Sequence, residues 1–160
     1  MCGIIGYIGK EEKVFETIYS GLKKLEYRGY DSCGLALSDG KDLEVFRSIA
    51  STEELVSFSQ SMGDKGFYCG IGHTRWATHG KVTVENAHPH TSHCGNVCIV
   101  HNGVIENSEE IKKLLLKHKY EFRSDTDSEV LPNLISYFYK KLNKKSKKYK
   151  NHVKAIKTAL

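Results

Sequence analysis

The spacing of apolar and polar positions changes several times along the chain, and each change marks an element. Residues 2 to 8 (CGIIGYI) form a short apolar run closed by Gly9, which predicts a buried strand starting almost at the chain terminus. From Glu11 to Glu26, the residues Val14, Phe15, Ile18, Tyr19, Leu22 and Leu25 recur at helical spacing, predicting an amphipathic helix that ends before Gly29. Leu35 to Ser38 and Leu43 to Ile49 flank Asp39-Gly40, the turn signal of an antiparallel hairpin. Ser51 followed by Glu54 has the spacing of a capping box opening a helix to about Met62, and Phe67 to His73 then reads as a strand.

Thr74 to Gly95 holds histidines, small polar residues and one proline without a sustained period, so a long loop is expected, and loops of that length are commonly functional. Asn96 to His101 returns to strand. Asn107 to His118 predicts a helix with Glu110 completing its cap, and Thr126 to Leu142 another with Val130, Leu131, Leu134, Ile135 and Phe138 inward. No internal repeat is visible. Strands and helices in this order, with hairpins, predict a layered α+β fold and not a parallel doubly wound sheet.

Composition narrows the class. The chain has 160 residues, 39% of them hydrophobic, which suffices for a sizeable core. No run approaches the length of a membrane span and no basic segment leads into an apolar leader, so a cytoplasmic protein without membrane contact is expected. Five cysteines in no regular framework argue against a disulfide-stapled domain. The net charge of +5 is unevenly placed: residues 140–160 carry nine lysines and no acid, leaving a mildly acidic body. Residues 140–150 therefore read as a solvated lysine-rich connector, and without stacking aromatics beside it no nucleic-acid partner is expected.

Cys2 is the first candidate for chemistry. It is small enough for Met1 to be trimmed, which would leave a thiol and a free α-amino group on one residue. An α-amine loses its proton near neutral pH far more readily than a lysine, so it can take the thiol proton directly or through water. Taken alone, a cysteine before an apolar strand is more often a small buried residue. His88, His90, His93, Cys94 and Cys98 are zinc-ligand types, but Cys-x3-Cys without a second matching pair is a weak signal. Locally, Asn102-Gly103 is a tight turn, Arg75-Trp76 a packing or cation–π pair and Asp127 a first-turn helix acid.

These residues fall in a longer series: CGIIGYIG at 2–9, LEYRGYDSCGLAL at 25–37, GIGHTRWATHG at 70–80, NAHPHTS at 86–92, VHNGVIEN at 100–107 and SDTDSE at 124–129. In order and spacing the series resembles the glutamine:fructose-6-phosphate amidotransferase family (glucosamine-6-phosphate synthase), across residues 2 to about 138. Amidophosphoribosyltransferase carries a related glutaminase domain, but Trp76-Ala77-Thr78-His79, His88-Pro89-His90 and Val104-Ile105-Glu106-Asn107 follow the sugar-phosphate family.

The resemblance implies a four-layer αββα N-terminal-nucleophile hydrolase fold of the class II glutamine amidotransferases, with L-glutamine as substrate and no cofactor or metal. It implies Cys2 as the nucleophile that forms a glutamyl thioester, and Asn102 and Gly103 as the oxyanion hole. Arg75 would meet the glutamine α-carboxylate and Asp127 its α-ammonium, with Trp76, Thr78 and His79 in the closing loop. Arg28, Asp31 and His88 would support the cysteine and its loop. Cys33 stands where alanine is common in the family. Complete relatives continue into a sugar isomerase domain that binds fructose 6-phosphate and supports a homodimer. That domain lies outside these 160 residues, so a partial glutamine amidotransferase type 2 domain over 1–160 is expected. An inactive remnant, a binding module or a related class II amidotransferase are the alternatives.

Overall fold

The computed structural model describes residues 2–9, 13–62, 66–76, 81–145 and 150–160. By contacts the chain divides into two compact units, residues 1–89 with 100–102, and residues 90–99 with 103–160.

In the first unit the apolar run at the start becomes β1 (Gly3–Ile8), and the helical pattern becomes α1 (Val14–Leu25), extended by one 3-10 turn over Glu26–Arg28. The hairpin forms as β2 (Ser32–Ser38) and β3 (Leu43–Ser48), followed by α2 (Glu54–Met62) and β4 (Cys69–Arg75). The four strands make one antiparallel sheet in the order β1-β4-β2-β3. At the hairpin, the Asp39 carboxylate accepts the N–H groups of Lys41 and Asp42 at 2.9 and 2.8 Å, which holds its carboxyl below the usual range.

Side chains alternate across β4, so its two faces have different jobs. Gly70 and Gly72 face α1: a Cβ on Gly72 would stand 2.8 Å from Ile18 Cγ2 and 3.1 Å from Leu22 Cδ1. These bare positions let the helix lie close and bury Val14, Ile18 and Leu22 completely, each contributing roughly 1.5–3 kcal/mol. Cys33, Leu35, Leu37 and Leu55 complete that core. Burial pushes the Cys33 thiol up to about 12, which makes it an inert apolar group. The opposite face of β4 carries Ile71, His73 and Arg75.

Several boundaries moved. β2 begins at Ser32, three residues earlier than predicted, and β4 runs through Arg75 into the segment read as loop. At the start of α2 the Glu54 carboxylate accepts the Ser48 hydroxyl.

The second unit pairs β5 (His90–Thr91) with β6 (Cys98–Ile99) and adds α3 (Ser108–Lys117), α4 (Val130–Lys145) and α5 (Asn151–Ala159). The predicted loop thus ends in a short strand, and the predicted strand over 96–101 shrinks to two residues. No side chain caps α3, so Glu110 does not play its expected part. On α4, Leu131 and Ile135 are only half-buried, whereas Asn133 and Ser136 are buried. The reason is polar: Asn133 accepts the His93 N–H at 2.6 Å, and Ser136 donates to Asn96 Oδ1 at 2.9 Å, pinning the β5–β6 ribbon to the helix. Six residues of the expected lysine-rich connector, 140–145, are helical, and α5 folds back with Asn151 donating to Asn143 at 2.6 Å and His152 stacking on Tyr139. None of the described helices is long and apolar enough to cross a membrane.

Candidate active site

The sheet delivers the start of β1 and the end of β4 to the same place, because the two strands pair antiparallel with Gly3 opposite Thr74. Cys2 and Trp76, one residue outside each strand, therefore meet. The Trp76 backbone N–H points at Cys2 Sγ across 3.3 Å, and the thiol in turn lies 3.6 Å from the Trp76 carbonyl oxygen. The indole of Trp76 is half-exposed and rests over Gly29, whose Cα is bare: a Cβ there would stand 3.0 Å from the ring.

Arg75 is buried, with Nη1 donating to the Lys81 carbonyl at 3.4 Å. Its own carbonyl accepts the Asp31 N–H at 2.8 Å, so the segment leading into β2 is stapled to the end of β4, and the Asp31 carboxylate accepts the Ser32 hydroxyl at 3.0 Å. Arg28 is exposed, with Nε donating to the Tyr27 hydroxyl at 3.0 Å. His88 is buried, and its ring lies 4.3 Å from that of His73. Its segment closes over β2, where Arg47 Nε donates to the Pro89 carbonyl at 2.7 Å. Thr78 and His79 lie outside the described residues.

The first unit also contains Asn102, an exposed residue whose carboxamide oxygen is 2.8 Å from His73 Nε2. His73 is 1% exposed, and burial lowers its imidazole to about 4, so it is neutral near pH 7. Sequence reasoning did not select His73: a histidine inside an apolar strand carries no local mark of function, and its partner lies 29 residues away.

Gly103 and Asp127 belong to the second unit. Gly103 has φ +147°, a backbone conformation that side-chain-bearing residues rarely adopt. Asp127 opens a 3-10 turn (Asp127–Glu129), and its Oδ2 accepts the Ile105 N–H at 2.6 Å, which holds the segment after Gly103. That turn is built by Glu129, a buried carboxylate that accepts the Arg123 N–H at 2.9 Å and both the N–H and the hydroxyl of Ser124 at 2.7 Å. Ser124 and Thr126 hydroxyls are 2.9 Å apart, and Thr126 reaches His90 Nε2 at 2.9 Å. Of the zinc-type residues, His90 is engaged in this way and His93 lies 3.7 Å from the Glu121 carboxylate. Among the described residues no three such groups converge on a metal position.

A family profile described as a glutamine amidotransferase domain matches residues 73–152, half of the chain. Curated relatives named glutamine–fructose-6-phosphate aminotransferase (isomerizing) are 46% identical over 142 residues in Clostridium tetani and 49% identical over 135 residues in Methanococcus maripaludis. The relative in Sulfolobus acidocaldarius is 41% identical over 158 residues. These alignments cover 88%, 84% and 98% of this chain but 23%, 22% and 27% of the relatives, so the chain spans about a quarter of their length. Two solved structures superpose over 99% of this chain and 32% of their own, each at 26% identity. One is titled as the allosteric regulatory enzyme of purine biosynthesis (TM-score 0.71), the other as glutamine phosphoribosylpyrophosphate amidotransferase from B. subtilis (TM-score 0.67). These likenesses support the α+β fold of the class II amidotransferases, and the chain belongs to the glutamine amidotransferase domain family.

Proposed function

We propose that this chain is the glutamine-hydrolysing part of a glutamine–fructose-6-phosphate aminotransferase. The observation that carries the reading is the approach of Cys2 Sγ to the N–H of Trp76, the residue after Arg75, at the end of β4. With Met1 removed, the Cys2 α-amine takes the thiol proton and the sulfur attacks the side-chain amide carbon of glutamine. The tetrahedral intermediate collapses as the amine returns its proton to the leaving nitrogen, releasing ammonia and leaving a thioester. Water then cleaves the thioester to glutamate and restores the thiol.

Asn102 and Gly103 supply the donors for the oxyanion, a role suited to an exposed carboxamide next to a glycine whose backbone is unusual. Arg75 pairs with the α-carboxylate and Asp127 with the α-ammonium, because an enclosed zwitterion needs both charges met. Trp76, Thr78 and His79 contact or cover the substrate, while Arg28, Asp31 and His88 support the cysteine loop. The fructose-6-phosphate relatives are favoured over the phosphoribosylpyrophosphate enzymes by 41–49% against 26% identity. Residues 1–160 then form a partial type 2 amidotransferase domain. In a complete cytoplasmic homodimer, a separate isomerase domain would bind fructose 6-phosphate and consume the ammonia.

The test is glutamate release from glutamine by the purified chain, shown by intact mass to lack Met1, beside Cys2→Ala. Release that disappears in Cys2→Ala supports the reading. A folded, Met1-free chain that binds no glutamine and releases no glutamate would overturn it in favour of an inactive remnant.

A further inference from the structure

We propose that His73 is a positioning residue for this reaction: its Nε2–H holds the Asn102 carboxamide oxygen and so turns the Asn102 amide nitrogen toward the oxyanion. This rests on the glutamine-hydrolysing reading. A carboxamide on an exposed turn can present either its oxygen or its nitrogen to a substrate, and the two orientations have nearly the same shape. Only the nitrogen can stabilise an oxyanion. Presentation of the oxygen would repel it.

The choice is made on the His73 side. Its Nδ1 is buried and has no hydrogen-bond partner among the described residues, whereas Nε2 is 2.8 Å from Asn102 Oδ1. One ring nitrogen of a neutral imidazole carries the proton and the other a lone pair. Leaving a lone pair unpaired in the interior costs less than leaving an N–H unpaired, and orphaned buried N–H groups are the rarer kind. The proton therefore sits on Nε2, and Nε2–H requires an acceptor, which the carboxamide oxygen supplies at 2.8 Å among the described residues. Burial pushes the ring down to about 4, so the same neutral donor persists through the neutral range. The ring is also fixed in place: it stands on β4 opposite Ile4 and Gly34, and packs against His88 at 4.3 Å between centroids. An exposed catalytic amide thus borrows its orientation from a rigid, buried strand residue.

Two measurements on the full chain test the idea. Nitrogen and carbon NMR shifts of His73 at pH 7 should report the Nε2–H tautomer, and the Asn102 side-chain amide resonance should move in His73→Leu. An Nδ1–H tautomer would overturn the proposal, since Asn102 would then have to give its nitrogen to the ring. This readout needs no turnover, so it remains decisive even if glutamine hydrolysis itself is refuted. In kinetics, His73→Leu should lower kcat about 10- to 100-fold, part of the roughly 100- to 1000-fold loss expected from removing the oxyanion donor itself, with KM changed less than about 2-fold. His73→Gln, which keeps an N–H donor, should recover most of the loss, and in an Asn102→Ala background His73→Leu should add nothing. Alkylation of Cys2 by iodoacetamide passes through no oxyanion and should keep its rate. Parallel loss of alkylation and turnover in His73→Leu, or effects that multiply with Asn102→Ala, would show a general structural role and overturn the proposal.

Discussion

Gly34→Ala probes whether the segment carrying His88 depends on close approach to the sheet. A Cβ at Gly34 would lie 2.2 Å from the His88 carbonyl oxygen and 2.6 Å from that of Phe46. Both are backbone atoms, so no side chain can swing aside, and restoring an ordinary contact requires the 88–89 segment to lift by about 1 Å. Overpacking of this kind costs about 1–3 kcal/mol. The lift also strains the bond from Arg47 to the Pro89 carbonyl, a charged donor at 2.7 Å contributing about 1.5–3 kcal/mol. Together the expected loss is about 3–5 kcal/mol, which for a domain of this size lowers the melting temperature by about 6–20 °C. Calorimetry or thermal circular dichroism reads this directly, and Gly66→Ala is the control, because a Cβ there meets nothing within 4 Å and should cost less than about 0.5 kcal/mol. A Gly34→Ala protein melting within about 2 °C of the parent would show instead that the segment does not rest on β2.

Asn102→Ala should lower kcat for glutamate release about 100- to 1000-fold with little change in KM, and a loss below about 5-fold would remove Asn102 from the oxyanion hole. Glu129→Ala strips the acceptor from three donors in the turn before α4 and should cost about 3–5 kcal/mol in urea unfolding, whereas a loss under about 1 kcal/mol would mean that water replaces the carboxylate. Stability should also depend on pH through His73. Its folded-state value of about 4 lies below its ordinary 6.5, so the unfolded chain binds the extra proton between them; the contribution is complete above about 6.5 and falls by about 3 kcal/mol as pH drops toward 4. Urea midpoints from pH 7 to 4 should therefore decline less in His73→Gln than in the parent, and equal slopes would contradict the assignment.

The elements with strong periodicity were legible: β1, α1, the β2–β3 hairpin and α3 stand close to where the apolar spacing puts them. What escaped has specific causes. Gly34 hides the first half of β2, because a strand signal is weakest where the side chain has been removed for close approach. Thr74 and Arg75 sit in β4 although they resemble loop residues, since the strand must extend to bring Trp76 to Cys2. In α4 the inward positions Asn133 and Ser136 are polar because they satisfy the ribbon of β5 and β6, an obligation that no helical pattern can display. The contact of the Trp76 N–H with sulfur is made by backbone, and His73 reveals itself only through its distant partner.

The two-sidedness of β4 constrains how this site could change over evolutionary time. Inserting or deleting a single residue in the strand would turn Gly70 and Gly72 toward the chemistry and drive His73 and Arg75 against Ile18 and Leu22 of α1. Such a frame error could not produce a stable but inactive protein, because the bulky groups would pry the helix off the sheet. Correct packing of α1 therefore proofreads the face on which His73 and Arg75 stand, and loss of that alignment would be removed as a folding failure.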